Sequence, residues 1–309
     1  MDFPRTLVEW RNNVVVTDDE VPYYDMWKLP FLIQFFHDHG LDFKLWIPVN
    51  DCELSPPNNN PRLHDYTYLS DYPGPPTRFY GLERAIHCPA RTCWNQDVIL
   101  RLISIDGDIS GVEHHLALKR LSTGEDSFRG RNHALPVLQE LKYEGLTFVV
   151  FPMMWSAHRL WWFYDLGEIL DFVLQVTEGL NFCHERLVAH LDISYDNILV
   201  NFAGGAQFPK DFRCWEQVAP LRSHFPVRYY INDFEHAAVF SEDSEPSDRV
   251  ISGLPNARWG GTKEKFLRRV PPEMEKTEPY CPFRADVWSL GGLFQRYLGV
   301  HLLQFSKKV

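Results

Sequence analysis

Apolar side chains follow two different spacings along this chain, and the change between them falls at Pro152. Before that point, short runs of β-branched and aromatic residues predict strands at 98–104, 136–138 and 147–151. Val112–Leu121 has helical spacing instead. Beyond Pro152, Ile169–His184 places apolar residues on one helical face, which predicts an amphipathic helix. A β-rich half followed by a helix-rich half predicts an α+β protein.

The first 80 residues have a different character. Residues 27–45 show one amphipathic pattern and predict a helix that stops near Gly40. Sequence rich in Pro, Asn and Gly follows at 55–61 and 73–76, and this composition is typical of a loop or linker. We therefore predict three parts, namely an N-terminal extension at 1–80, a β-rich domain at 81–152 and a helical domain at 153–309.

Composition and charge exclude several classes of function. The formal net charge is −10, and the basic pairs Arg268-Arg269 and Lys307-Lys308 are too short to attract nucleic acid or an anionic membrane. The six cysteines form no C-x-x-C pair, so we expect reduced thiols. No apolar run approaches the ~20 residues of a membrane helix. We expect a cytoplasmic or nuclear protein with no nucleic-acid and no membrane partner.

One segment carries most of the chemistry. Within His190–Asn197, an aspartate precedes an asparagine by five positions, and the apolar strand 198–200 follows. This layout suits phosphoryl transfer, because one carboxylate can accept a hydroxyl proton while one amide oxygen holds a magnesium ion. Three more signals follow in order along the chain: Asp233-Phe234-Glu235 after the strand-like 227–231, then Pro271-Pro272-Glu273, then Asp286–Gly291.

This ordered set resembles the catalytic half of a eukaryotic protein kinase, over about residues 95–300. It looks most like the divergent protein-kinase-like proteins of fungi. The resemblance implies a bilobal fold, with a small β-rich N-lobe, a hinge at 152–154 and a helical C-lobe. The C-lobe is cut short after the helix that begins near Asp286. We expect truncation there, or alternatively N-terminal aromatics such as Phe31 and Phe35 folding over that helix.

The resemblance also implies roles for single residues. Asp192 would orient and deprotonate the acceptor hydroxyl, and Ser194 stands at a catalytic-loop position where lysine is frequent. Asn197 and Asp233 would bind magnesium that bridges to the phosphates of ATP. Asp286 would clamp the backbone of the catalytic loop, and we expect His190 to be a packing and hydrogen-bonding residue.

The ATP-binding half departs from the family pattern. Arg101 stands in place of the phosphate-binding lysine, with Glu113 as its predicted helix partner, and arginine is larger and planar. The nucleotide pocket would be lined by Ile99, which replaces a small alanine, and by Met153 and Leu199. No glycine occurs between Arg84 and Gln96, so the backbone cannot approach the phosphates closely. Glu235 stands where the family has a glycine, and Leu191 where it has an arginine.

Three functions remain open at this point. The first is an ATP- and Mg-dependent kinase that phosphorylates Ser/Thr hydroxyls of proteins, with an unidentified protein substrate. The second is a pseudokinase that acts as a binding module. The third is a small-molecule phosphotransferase of the aminoglycoside or choline kinase type.

The segment between Asn197 and Asp233 is longer than most kinases need, which predicts a surface insertion.

Overall fold

The computed structural model describes residues 4–12, 15–16, 22–23, 25–39, 44–45, 68–69, 86–94, 96–157, 163–203, 222, 226–259, 266 and 268–306. The α-helices are α1 (Leu7–Asn12), α2 (Pro30–Asp38), α3 (Val112–Leu121), α4 (Leu166–Glu185) and α5 (Pro282–Ser306). The strands of the first 160 residues are β1 (Val15–Val16), β2 (Pro22–Tyr23), β3 (Lys44–Leu45), β4 (Tyr68–Leu69), β5 (His87–Arg91), β6 (Asp97–Ile105), β7 (Gln139–Tyr143), β8 (Leu146–Pro152) and β9 (Trp155–Ser156). The later strands are β10 (Val188–Ala189), β11 (Ile198–Val200), β12 (Phe202–Ala203), β13 (Tyr229–Ile231) and β14 (Ala238–Val239).

These elements form two units, and both α-helices and β-strands contribute, as predicted. One unit comprises 1–112, 136–154 and 202–207, and the other comprises 113–135, 155–201 and 208–309. The bilobal kinase arrangement and the predicted domain boundaries stay predictions. Among the helices that the structure describes, none combines the length and apolar character needed to cross a bilayer.

The first unit is built on a five-stranded sheet in the order β3-β5-β6-β8-β7. Its central strand β6 pairs antiparallel with β5 and β8 over most of its length, which confirms the strand predicted at 98–104. Alternation along β6 buries Val98, Leu100 and Leu102 on one face. Strand β8 likewise confirms the strand predicted at 147–151.

The strand predicted at 136–138 is wrong, because pairing starts only at Gln139. Pro136 has no N–H to give to a ladder, and only Leu138 N–H reaches Val150 O, at 2.9 Å. The paired strand β7 is largely polar, so its apolar signal was weak. Strand β13 likewise covers 229–231 rather than the whole of 227–231.

N-terminal aromatic residues supply much of the core of the first unit. Trp10 of α1, Trp27 and Phe36 surround Phe148 of β8, with ring centroids 5.1–6.3 Å from that ring. Fully burying side chains of this size contributes roughly 1.5–3 kcal/mol each. The segment predicted as an extension therefore packs against the sheet in its described part.

The contacts of Phe31 and Phe35 that the structure describes lie within the first unit, and their alternative role of covering the C-terminal helix stays a prediction. Both lie on α2 and pack against Tyr143 of β7: the Phe31 ring stacks on it with centroids 5.9 Å apart, and the Phe35 ring is tilted with centroids 4.9 Å apart. They pack against the core of the first unit. Helix α2 spans Pro30–Asp38, inside the predicted range. Gly40, the predicted linker at 55–61 and 73–76, and most of the predicted insertion after Asn197 lie outside the described residues.

The second unit is organised around α4 and a small sheet in the order β13-β11-β9. Helix α4 confirms the predicted amphipathic helix, and it begins with Asp165 accepting a hydrogen bond from Glu168 N at 2.9 Å. Strand β11 pairs with β13 in the register Ile198↔Ile231. Strand β11 begins directly after Asn197, and β13 ends shortly before Asp233. The antiparallel register therefore brings these two residues of the predicted site together.

The segment at 133–135 holds β13 from its other side. Ile231 N–H donates to His133 O at 2.6 Å, and Leu135 N–H donates to Ile231 O at 2.9 Å. The imidazole Nδ1–H of His133 donates to Tyr229 O at 2.7 Å. Burial lowers the pKa of His133 below its usual value, and Arg228 acts in the same direction. The bond to Tyr229 and the nearby carboxylates Glu178 and Asp171 oppose this shift.

Candidate active site

The loop between β10 and β11 is fixed by a buried carboxylate from α5. Asp286 is 0% exposed. Its Oδ1 accepts from Leu191 N at 2.6 Å, and its Oδ2 accepts from His190 N at 2.7 Å. The same Oδ2 lies 3.0 Å from His184 Nε2 on α4. Asp286 therefore clamps the loop backbone, as the resemblance implied, and holds Leu191 in the left-handed region at φ 64°.

His190 links this loop to the end of β13. Its Nδ1 accepts from Asp192 N at 3.2 Å, so Nε2 carries the proton and donates to Asn232 O at 2.9 Å. Its ring packs against Phe234, with centroids 4.8 Å apart. Burial lowers the pKa of His190, which keeps the imidazole neutral. His190 thus connects the segments that carry Asp192 and Asp233 through hydrogen bonds and packing, which agrees with its predicted role.

Asp192, the predicted base, is a nearly buried carboxylate at 8% exposure. Asn197 Nδ2 donates to its Oδ2 at 2.7 Å and to its backbone oxygen at 2.9 Å. Burial raises the pKa of Asp192 to about 7, and the nearby Asp233 and Glu235 also raise it. Arg268 and the bond from Asn197 lower it. A carboxyl whose pKa lies near neutral pH is matched to general-base work.

The two predicted metal ligands come from neighbouring strand ends. Asn232 N–H donates to Asn197 O at 2.9 Å, so Asn197 accepts this backbone hydrogen bond and Asp233 directly follows its donor residue. Because Nδ2 of Asn197 donates to Asp192, its amide oxygen is the atom left to face a cation. Asp233 adopts φ 65°, a left-handed conformation that aspartate tolerates better than most residues.

These oxygen donors fit magnesium, which prefers carboxylate and amide oxygens and usually takes further ligands from phosphates and water. Over the described residues, no group of three Asp, Glu, His or Cys side chains forms a metal site by itself. A magnesium ion held by Asn197 and Asp233 would take its remaining ligands from water or from the phosphate oxygens of a bound nucleotide. Metal binding by Asn197 and Asp233 stays a prediction.

Ser194 lies between Asp192 and the short turn at Tyr195–Asn197. Its side chain is buried and does not cap that turn. Its hydroxyl makes no hydrogen bond to any described residue. A buried hydroxyl beside the predicted base is a polar group that a ligand can satisfy, since leaving it without a partner costs about 1–3 kcal/mol.

Arg268 is the site residue that the sequence did not single out for this role. Its Nε lies 2.6 Å from Oδ1 of Asp192, and its Nη1 lies 3.2 Å from Oδ2 of Asp196. The guanidinium therefore bridges two carboxylates, one of which is the predicted base. Its position between Asp233 and the Pro271-Pro272-Glu273 motif is the available signal in the sequence, where Arg268 and Arg269 otherwise form only a short basic pair.

The predicted ATP-contacting residues of the first unit lie on or beside β6. Arg101 is 2% exposed and stands opposite His87 and Val149 in the sheet register. Ile99 is half-buried on the same strand face, and Met153 N–H donates to Asp97 O at 3.2 Å. In the second unit, Leu199 is half-buried in the middle of β11. Their contacts with nucleotide stay predictions.

Glu113 is tied to the segment that follows Asp233. Its Oε2 accepts from Val239 N at 2.8 Å, and its Oε1 lies 3.9 Å from Arg258 Nη1. Arg258 in turn donates to the carbonyl oxygens of His236 and Ala237, at 2.5 and 2.7 Å. These contacts connect α3 to the chain after the predicted metal ligand. The predicted pairing of Glu113 with Arg101 stays a prediction.

Comparison with known proteins shows a partial similarity to a protein kinase. No protein-family model matches the chain. A Wee1-like protein kinase from Oryza sativa subsp. japonica is 46% identical over 48 residues. That alignment covers 16% of this chain and 9% of the kinase. The chain is thus similar to a protein kinase over a short segment.

Proposed function

We propose that this chain is an ATP- and Mg-dependent protein kinase that transfers the γ-phosphoryl group to Ser/Thr hydroxyls. The observation that carries the proposal is the arrangement of Asp192, Asn197 and Asp233 at two hydrogen-bonded strand ends. The loop that bears Asp192 is clamped by Asp286, so the carboxylate has a defined position before any substrate arrives. The partial similarity to a protein kinase agrees with this proposal.

In this proposal Asp192 takes the proton of the acceptor hydroxyl as its oxygen bonds to the γ-phosphorus. The bond from that phosphorus to the β–γ bridging oxygen breaks, and ADP leaves with the bonding electrons. Magnesium, when bound, would neutralise phosphate charge. Asn197 has two roles, because its amide nitrogen orients Asp192 while its oxygen would face the metal. His190 keeps both segments in register and stays neutral.

A second function is favoured by one contact. Arg268 engages Oδ1 of Asp192, so in this state the base is ion-paired rather than open to a hydroxyl. A pseudokinase that binds partners would tolerate that arrangement permanently. The family pattern is also altered at Arg101, where a planar guanidinium replaces a compact ammonium. Catalysis and binding therefore need separate measurements.

Asp192→Asn should strongly slow transfer and leave Mg-ATP binding almost unchanged, because Asp192 would touch the acceptor and not the nucleotide. Positioned general bases contribute about 10²–10⁴ in rate. Asp233→Asn should weaken Mg-ATP binding itself. The measurements are radiolabelled phosphate transfer to a generic protein substrate, to choline and to an aminoglycoside, with thermal shift in Mg-ATP and in ATP plus EDTA.

Asp248→Asn is the matched control, since Asp248 is an exposed carboxylate further along the segment after Asp233. Transfer only to the small molecules would refute the protein-kinase proposal and favour the third function considered from the sequence. Mg-ATP binding without any transfer would favour the pseudokinase. A thermal shift equal in EDTA would show that Asn197 and Asp233 are not metal ligands.

A further inference from the structure

Both carboxylate oxygens of Asp192 are already engaged. Oδ2 accepts the amide of Asn197, and Oδ1 lies against the guanidinium of Arg268 at 2.6 Å. An acceptor hydroxyl that approaches Asp192 must therefore compete with Arg268 for Oδ1. The Arg268 side chain is 36% exposed, so it can turn away from Asp192 without breaking the core. A guanidinium that leaves one carboxylate is stabilised when another anion receives it.

A pocket next to Arg268 offers the place for that anion. Its volume is about 310 Å³, and Arg268 and Arg269 both line it. Pockets for drug-sized ligands start near this volume, so it has room for one or two amino-acid side chains. Its apolar walls are formed by Leu254, Phe266, Val270 and Trp288.

The charges at this pocket favour an acidic guest. Arg269 lies with its guanidinium carbon 5.4 Å from the ring centroid of Trp288, a cation–π contact that holds a second cation at the pocket. Among the described residues that line the pocket, Glu275 is the one carboxylate, against two guanidinium groups. Apolar walls with two planar, bidentate cations suit an extended peptide that carries a carboxylate.

We propose that Arg268 and Arg269 select acceptor segments that carry an aspartate or glutamate next to the phosphorylated hydroxyl. The acidic side chain of the substrate takes the place of Asp192 and Asp196 as the partner of Arg268, and Oδ1 of Asp192 becomes open to the hydroxyl. The same residue thereby recognises the substrate and uncovers the base. This inference rests on the proposed function, because it assigns the acceptor to Asp192.

The test uses the full chain with Mg-ATP and alanine-rich peptides that contain one serine. A single Asp is moved from three positions before the serine to three positions after it, with Asn at the same place as the neutral partner. At one of the positions near the serine, we expect kcat/KM to be about 10–100-fold higher for the Asp peptide than for the Asn peptide. A charge-assisted hydrogen bond between the peptide carboxylate and a guanidinium implies a difference of this size. Arg268→Gln and Arg269→Gln should reduce that ratio toward one, and Arg296→Gln, on an exposed arginine of α5, should keep it.

The ratio of Asp to Asn peptide is the deciding readout, because a loss of stability in a variant lowers both rates together. If Arg268→Gln slows both peptides equally and keeps their ratio, Arg268 is a structural contact and the inference is overturned. Arg268→Glu should reverse the preference toward a Lys peptide, and an unchanged preference would also overturn it.

Binding of unreactive peptides, with alanine in place of serine, separates this inference from the proposed function. Fluorescence anisotropy should show tighter binding of the Asp peptide, and Arg268→Gln should remove the difference. Transfer without any acidic preference would leave the kinase proposal standing and refute the selection. An acidic preference in binding without transfer would support the pocket and refute catalysis. Neither transfer nor preference would refute both.

Discussion

Replacing Asp286 with Asn keeps the shape of a buried side chain and removes its charge. The native carboxylate receives three donors, two on Oδ2 (His190 N and His184 Nε2) and one on Oδ1 (Leu191 N), at 2.6–3.0 Å. An asparagine can accept on one oxygen only. In its better orientation the oxygen keeps the two donors of Oδ2, and the amide nitrogen then faces the N–H of Leu191.

The cost follows from these bonds. One buried N–H without an acceptor costs about 1–3 kcal/mol, and the two remaining bonds lose their charge assistance. A neutral side chain is easier to bury than a carboxylate, which offsets part of this loss. We expect a net loss of about 2–4 kcal/mol in the free energy of unfolding. The left-handed backbone at Leu191, which costs about 1–2 kcal/mol for a residue with a side chain, would also lose the bond that holds it.

Urea denaturation followed by circular dichroism measures the loss, with Asp248→Asn as an exposed control expected within about 0.5 kcal/mol of the parent. Phosphate transfer should fall further than stability alone explains, because the clamp sets the position of Asp192. A denaturation midpoint equal to that of the parent would refute the assigned role of the three bonds. Full transfer activity in a destabilised but folded variant would show that the clamp supports the fold and not the geometry of Asp192.

The remaining predictions concern packing and pH in the second unit. Gly179→Ala on α4 would place Cβ 2.6 Å from His133 Cβ, so we expect a loss of about 1–3 kcal/mol despite the better helix propensity. Gly291→Ala on α5 meets no atom within 4 Å and should gain roughly 0.5–1 kcal/mol. A stabilising Gly179→Ala would contradict the packing. Because the folded pKa of His133 is lowered, the unfolded chain takes up a proton first, and stability declines as pH falls below about 6.5. His133→Asn does not titrate, so its stability deficit relative to the parent should narrow between pH 8 and pH 5 in urea denaturation, and a constant deficit would contradict the assignment.

Local patterns along the sequence determined the elements that bury one continuous face. Strand β6 was predicted from a short run of β-branched and other apolar residues, and helix α4 from apolar residues that recur on one helical face. The order of Asp192, Asn197 and Asp233 was also visible, since a loop flanked by short strands places its polar residues at strand ends. Strand β7 escaped prediction because its residues are mostly polar and its pairing depends on β8.

Only the tertiary structure decided which side chains meet across long sequence separations. Trp10 and Trp27 join the core of the first unit through contacts with Phe148, more than a hundred positions away. Arg268 is separated from Asp192 by the whole segment that contains β13 and β14, and no spacing rule predicts their 2.6 Å contact. Ion pairs of this kind are set by where two backbones pass, and a guanidinium accepts any carboxylate within reach. The sequence therefore indicated the chemistry of the site, while the fold determined that Arg268 is the cation paired with the predicted base, Asp192.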